Sequence, residues 1–239
     1  MKTFVLPFLA ILVLLLPNSI PVEARCINPV SYLRTTVGIT KYYPRAHYGG
    51  TAWFYASPRT LVTSAHVARK LFLTRKWTKI QVKQDLRNKG RANIYEVSAR
   101  LKRIGGIGEV SDEEIVKIQE LALLDYAILE LKNPLPFAQT LNISPAPPEL
   151  NDFLATVAYP EGKLIVSVGR ALPPIKEFGS LIHLGMNNQK PVLNGSSGAP
   201  ILNCRGRAVG IMESIRVDAG LSFFTNHAVP VSSLINAGK

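Results

Sequence analysis

Five prolines, Pro134, Pro136, Pro145, Pro147 and Pro148, crowd one short stretch near the middle of the chain and divide it in two. Proline cannot donate to a sheet ladder, so this stretch reads as an extended crossover between two halves. On both sides the apolar residues come in short runs broken by turn formers. The first half predicts strands at Gly49–Tyr55, Thr60–Thr63, Lys79–Gln84, Ile94–Leu101 and Leu123–Leu131. Ser57-Pro58-Arg59 makes the turn between the first two, and Val67–Phe72 has room for one or two helical turns. The second half predicts strands at Leu154–Ala158, Lys163–Val168, Gly179–Leu184, Ala199–Leu202, Ala208–Met212 and Leu221–Thr225, then a brief helix over Val231–Ala237. Ser111-Asp112-Glu113-Glu114 has the form of a capping box opening a short helix through Ile118. Many short strands with little helix predict an all-β chain of antiparallel barrels. The expected boundaries are residues 25–133 for a first barrel, 134–150 for the crossover and 151–239 for a second barrel.

The first 24 residues stand apart from both halves. Met1-Lys2 gives a positive start, Phe4 to Leu16 is apolar, and Val22-Glu23-Ala24 offers a signal peptidase the small residues it reads. That apolar run is well short of the roughly 20 residues needed to span a bilayer. A cleaved signal peptide is therefore expected, which makes the mature chain secreted or periplasmic, with no transmembrane segment. In an exporting context the two cysteines, Cys26 and Cys204, permit one disulfide, the alternative being two separately buried thiols. No cluster of His, Cys and acidic residues has zinc spacing. No metal and no cofactor are expected.

The chain's 239 residues carry a net charge of +12, unevenly placed. Between Arg69 and Arg103 twelve basic residues face only Asp85 and Glu96, a surplus of ten. Such a surface attracts an anionic surface or polyanion, or simply keeps the protein soluble. No aromatic interleaving in it points to base stacking, so no dedicated nucleic-acid site is expected.

Three motifs carry chemistry. Gly195-Ser196-Ser197-Gly198-Ala199-Pro200 precedes an apolar strand, and its glycines allow a tight backbone around a nucleophilic Ser197. The N–H groups of Gly195 and Ser197 are candidates for the two donors that receive a developing oxyanion. In Thr63-Ser64-Ala65-His66, small residues lead from a strand to a histidine suited to act as base. Asp125, set among Leu123, Leu124, Ala127 and Ile128, is costly to bury unless an imidazole N–H partners it.

In that order, and at the edges of apolar strands, His66, Asp125 and Ser197 resemble the triad of the chymotrypsin-like (trypsin-like) serine peptidases. The resemblance spans about residues 47–232 and includes Gly50-Thr51-Ala52-Trp53-Phe54 and Val209-Gly210-Ile211. It implies two six-stranded antiparallel β-barrels, with His66 and Asp125 on the first and Ser197 on the second. It also implies a serine endopeptidase acting on protein or peptide substrates through an acyl-enzyme. Val67 follows His66 where digestive members have Cys, and Ser196 stands where they have an activating Asp. The motifs are closer to bacterial and high-temperature-requirement type members. Only 13 residues follow Asn226, so the peptide-binding PDZ domain of those members is not expected.

By the same resemblance the primary specificity pocket has its floor near Pro191 and its walls near Glu213 and Ser222. No Asp stands at that floor, so small or medium apolar side chains are expected there; Glu213 turned into the pocket would change that. The competing reading is an inactive protease fold that recruits an anionic partner through residues 69–103. The presence of His, Asp and Ser together weighs against it.

Overall fold

The computed structural model describes residues 26, 28–43, 46–72, 74, 76–85, 92–105, 125–136, 138–176, 180–186, 195–218 and 222–236. The expected signal peptide and the helix expected over 111–118 lie outside the described residues, as does Pro191.

Six strands form the first barrel: β1 (Thr36–Tyr43), β2 (Ala46–Phe54), β3 (Thr60–Thr63), β4 (Thr78–Gln84), β5 (Asn93–Ile104) and β6 (Ala127–Leu131). They close in the order β1-β2-β3-β6-β5-β4, and all pairs are antiparallel. Period-two alternation explains the closure: β6 buries Ala127, Leu129 and Leu131 and leaves Ile128 and Glu130 partly exposed, while β4 buries Ile80, Val82 and Gln84. The core of this barrel includes Val37, Ile39, Phe54, Leu61, Ile80, Leu101 and Leu129.

The second barrel repeats the plan with β7 (Phe153–Ala158), β8 (Ile165–Ala171), β9 (Ile182–Met186), β10 (Pro200–Asn203), β11 (Ala208–Asp218) and β12 (Ser222–Pro230). These close as β10-β11-β12-β9-β8-β7. The predicted all-β, double-barrel fold is the observed one.

Between the barrels, Trp53, Val62 and Tyr126 of the first pack with Ala155, Leu202, Ile211 and Val229 of the second in one buried cluster. Burying such a surface is the main force holding two such barrels face to face. In the proline-rich stretch Leu141 pairs with Tyr55 beside the first barrel, and Ile143 pairs with Ala208 of the second. A disulfide joins Cys26 to Cys204, just past the end of β10.

The elements depart from the sequence reading at several edges. Nothing in the sequence reading marked β1, whose core-facing Val37 and Ile39 are separated by Gly38; its eight-residue hairpin register with β2 draws β2 back to Ala46. β8 begins at Ile165 because Pro160–Gly162 form a 3-10 turn, with Glu161 at φ 49° and Gly162 at φ 72°. β11 and β12 extend well past their apolar cores as a two-stranded ribbon paired from Gly210↔Pro230 to Asp218↔Ser222. Helix α1 (Ala65–Leu71) starts before Val67, so His66 lies in its first turn; α2 (Ser232–Asn236) closes the described chain. No helix among the described residues is long and apolar enough to cross a membrane.

Candidate active site

The end of β3 and the start of α1 place the histidine. Ser64 is extended at the helix N-cap, and Ala65, Val67, Ala68 and Leu71 bury the inner face of α1. That packing anchors the helix, while the His66 side chain stays 40% exposed.

Asp125 enters β6 from the other side, its side chain only 10% exposed. It holds His66 with both oxygens: the His66 backbone N–H donates to Oδ1 at 2.8 Å, and Nδ1 lies 2.6 Å from Oδ2. A carboxylate only accepts, so this contact keeps the proton on Nδ1 and leaves Nε2 as the basic nitrogen. The two hydrogen bonds supply the buried partner that the apolar setting of Asp125 requires.

Ser197 comes from the second barrel and lines the same cleft as His66 and Gly195. Its loop is folded tightly. Gly195 and Gly198 adopt φ +102° and +88°, which side chains rarely tolerate. A Cβ on Gly198 would run into the Thr51 carbonyl and the Thr63 hydroxyl, and would lie 2.9 Å from Ser64 N. Beneath the loop, Gly198 N–H donates to Met212 O at 2.8 Å and Met212 N–H to Ala199 O at 2.7 Å.

Thr51 of the first barrel holds this loop, a role that its place in a strand motif did not reveal. Thr51 N–H donates to Ser197 O at 2.9 Å, and the Thr51 hydroxyl donates to Gly195 O at 2.7 Å. The same hydroxyl accepts Tyr159 N–H at 2.9 Å, and Thr51 O accepts the Thr63 hydroxyl at 2.7 Å. The Tyr159 hydroxyl in turn accepts Asp85 N–H at 2.8 Å, and burial pushes its pKa up to about 12. Gly50 keeps the approach open: a Cβ there would sit 2.7 Å from both Val67 methyls and 3.2 Å from Ser197 O.

The residues expected around the specificity pocket are placed unevenly. Pro191 lies outside the described residues, and the backbone of Ser222 pairs with Asp218 at the tip of the β11–β12 ribbon. Glu213 sits opposite His227 in the β11–β12 register, and His227 stacks on His183 with ring centroids 5.1 Å apart. The Oε2 atom of Glu213 is buried with no hydrogen-bond partner among the described residues. Burial, and then the charge of Asp125, push the Glu213 carboxyl up to about 8. At neutral pH it carries its proton.

A hydrogen-bonded imidazole and carboxylate sharing a cleft with a serine, in a fold of two such barrels, is the make-up of the serine peptidase class. The sequence agrees: residues 50–211 match the trypsin-like peptidase domain, and the chain belongs to that family. In fold it is similar to the active form of the Rv3671c protease from M. tuberculosis, with 16% identity, 88% of this chain and 82% of that one covered, and a TM-score of 0.57. It is similar also to the serine endoprotease from Yersinia pestis, with 14% identity, 87% and 63% coverage, and a TM-score of 0.56. At these identities the likeness is one of fold. Comparison with curated proteins finds no match.

Proposed function

We propose that the protein is a serine endopeptidase that hydrolyses peptide bonds through an acyl-enzyme, with Ser197 as nucleophile, His66 as general base and acid, and Asp125 as the group that orients the imidazole. The observation that carries this reading is the double hydrogen bond from His66 to Asp125, with Ser197 lining the cleft that His66 opens onto. Ser197 Oγ attacks the scissile carbonyl as its proton passes to His66 Nε2. The imidazolium so formed is stabilised by the Asp125 carboxylate across the 2.6 Å contact. The carbonyl oxygen becomes an oxyanion, received by the backbone N–H groups of Gly195 and Ser197. His66 then gives its proton to the departing amine, and water attacks the acyl-Ser197 ester by the same route in reverse.

The disulfide and the leader-like first 24 residues support secretion or export to a periplasm. Protein or peptide chains are the substrates that a cleft open to solvent on one side accommodates. The test is labelling by a fluorophosphonate probe together with casein cleavage: wild type is expected to do both and Ser197→Ala neither, with unchanged circular dichroism. Equal labelling of the two proteins overturns the role of Ser197. Labelling and short-ester hydrolysis without any chain cleavage would make the protein an esterase.

A further inference from the structure

The cleft that contains His66 and Ser197 continues between the barrels as a groove of about 740 Å³, within the size range of ligand-binding clefts. Beyond the reacting groups its walls are basic. Lys70 on α1, Lys83 on β4 and Lys163 after the 3-10 turn line it, against a single acid, Glu161, among the described residues. The three lysines come from three separate segments and from both barrels, so their meeting here is a product of the fold rather than of a run of charge. Lys83 also fixes the groove's shape: its Nζ donates to Gly162 O at 2.7 Å, tying the turn of the second barrel to β4 of the first. An ammonium has three donors, and this bond uses one of them.

The side of the scissile bond that this groove serves follows from the proton. His66 must deliver its proton to the leaving amine, so the departing half of the substrate lies on the His66 flank of Ser197. The groove is on that flank, lined by Val67 and Lys70 of α1 and by Gly49 and Gly50 of β2. Among the described lining residues none belongs to β11, which holds the Ser197 loop from beneath through Met212.

Resting on the peptidase reading above, we infer that the groove binds the residues that follow the scissile bond and selects an acidic segment there. Lys70 and Lys83 belong to the strongly basic Arg69–Arg103 stretch, and the groove gives part of that charge a location beside the reacting bond. The attraction is electrostatic and partly solvated, so it is graded rather than absolute and weakens as salt screens it.

The experiment uses the full mature chain and quenched fluorogenic peptides. A proteome-derived peptide library first supplies a cleaved sequence. Its residues before the cut are then held constant while the three after it are varied as Glu, Ala or Lys. The expected result is a kcat/KM about tenfold higher for the Glu series than for the Lys series at low salt, shrinking severalfold at 0.5 M NaCl. Lys70→Glu and Lys163→Glu, both at exposed positions, are expected to bring the Glu-to-Lys ratio toward one or invert it. Equal cleavage of the series by an enzyme that the fluorophosphonate labels, or a ratio unmoved by either substitution, overturns this inference alone. Absence of both labelling and cleavage overturns the peptidase reading and this inference with it.

Discussion

Thr51, on β2 of the first barrel, hydrogen-bonds through its backbone N–H to the carbonyl of Ser197, on the Gly195–Gly198 loop of the second barrel, at 2.9 Å. Its side chain reaches two further groups of that barrel, Gly195 O and Tyr159 N, and is wholly buried. One threonine therefore fixes the height at which the loop stands over the seam. Thr51→Val keeps the shape but leaves a part-buried carbonyl and a buried N–H without their partner. It is expected to cost about 1–3 kcal/mol of stability and, on the proposed mechanism, to lower kcat more than KM, because the loop that carries the proposed oxyanion donors loosens. Urea unfolding and peptide kinetics check both, and Thr51→Ser, which keeps the hydroxyl, should restore most of each.

Asp125→Asn tests the orienting role of the carboxylate. An amide can present its NH2 to His66 Nδ1, which favours the wrong tautomer and places the proton on Nε2. The expected loss is about 10³- to 10⁴-fold in kcat near neutral pH, with folding intact. A loss below tenfold in steady-state kinetics would remove Asp125 from the mechanism.

Gly198 admits no side chain. Its positive φ and the closeness of the Thr51 carbonyl and the Thr63 hydroxyl mean that Gly198→Ala must displace β2, β3 or the nucleophile loop. A protein that folds poorly, or folds with fluorophosphonate labelling lost, is expected. Thermal melts paired with labelling would show it, and an unchanged, fully labelled variant would contradict the packing described.

Glu213 gives stability a pH dependence of defined sign. Its carboxyl titrates at about 8 in the folded chain against 4.5 ordinarily, so between those values the folded state holds a proton that the unfolded state has released. Stability from this group is fully present below about 4.5 and falls as pH rises toward 8, by at most about 1.4 kcal/mol per pH unit. Glu213→Gln, neutral throughout, should flatten that slope. Melting temperatures of the two proteins are expected to diverge in favour of the glutamine variant from pH 5 to pH 8; parallel curves would place Glu213 in contact with water.

Much of this could be read from the chain because strands announce themselves locally. The short apolar runs broken by turn formers are visible in a few residues each and carried the expectation of antiparallel barrels, while the count of two six-stranded barrels came with the family resemblance. β1 stayed hidden because Val37 and Ile39 sit among threonines and Gly38, an apolar signal too thin to stand out. His66 and Ser197 stood out as candidates through the small residues and glycines beside them, and Asp125 through a carboxylate set in an apolar run. Thr51 and Tyr159 did not, because the partners of Thr51 lie 108 and 144 positions away and a threonine in a strand looks like any other. Glu213 was legible as a residue near the site but not in its surroundings, which depend on how β11 meets Asp125.

The Cys26–Cys204 bond closes β1 to β10 into one covalent ring, its ends 178 positions apart. A single cut anywhere within that ring, including one made by a second copy of the enzyme, opens the loop without separating the pieces. A nicked molecule would therefore migrate as one species on a non-reducing gel and split into two only after dithiothreitol. Self-digestion in an oxidising medium would leave a molecule only one water heavier and of the same apparent size, and reduction is what would bring it to light.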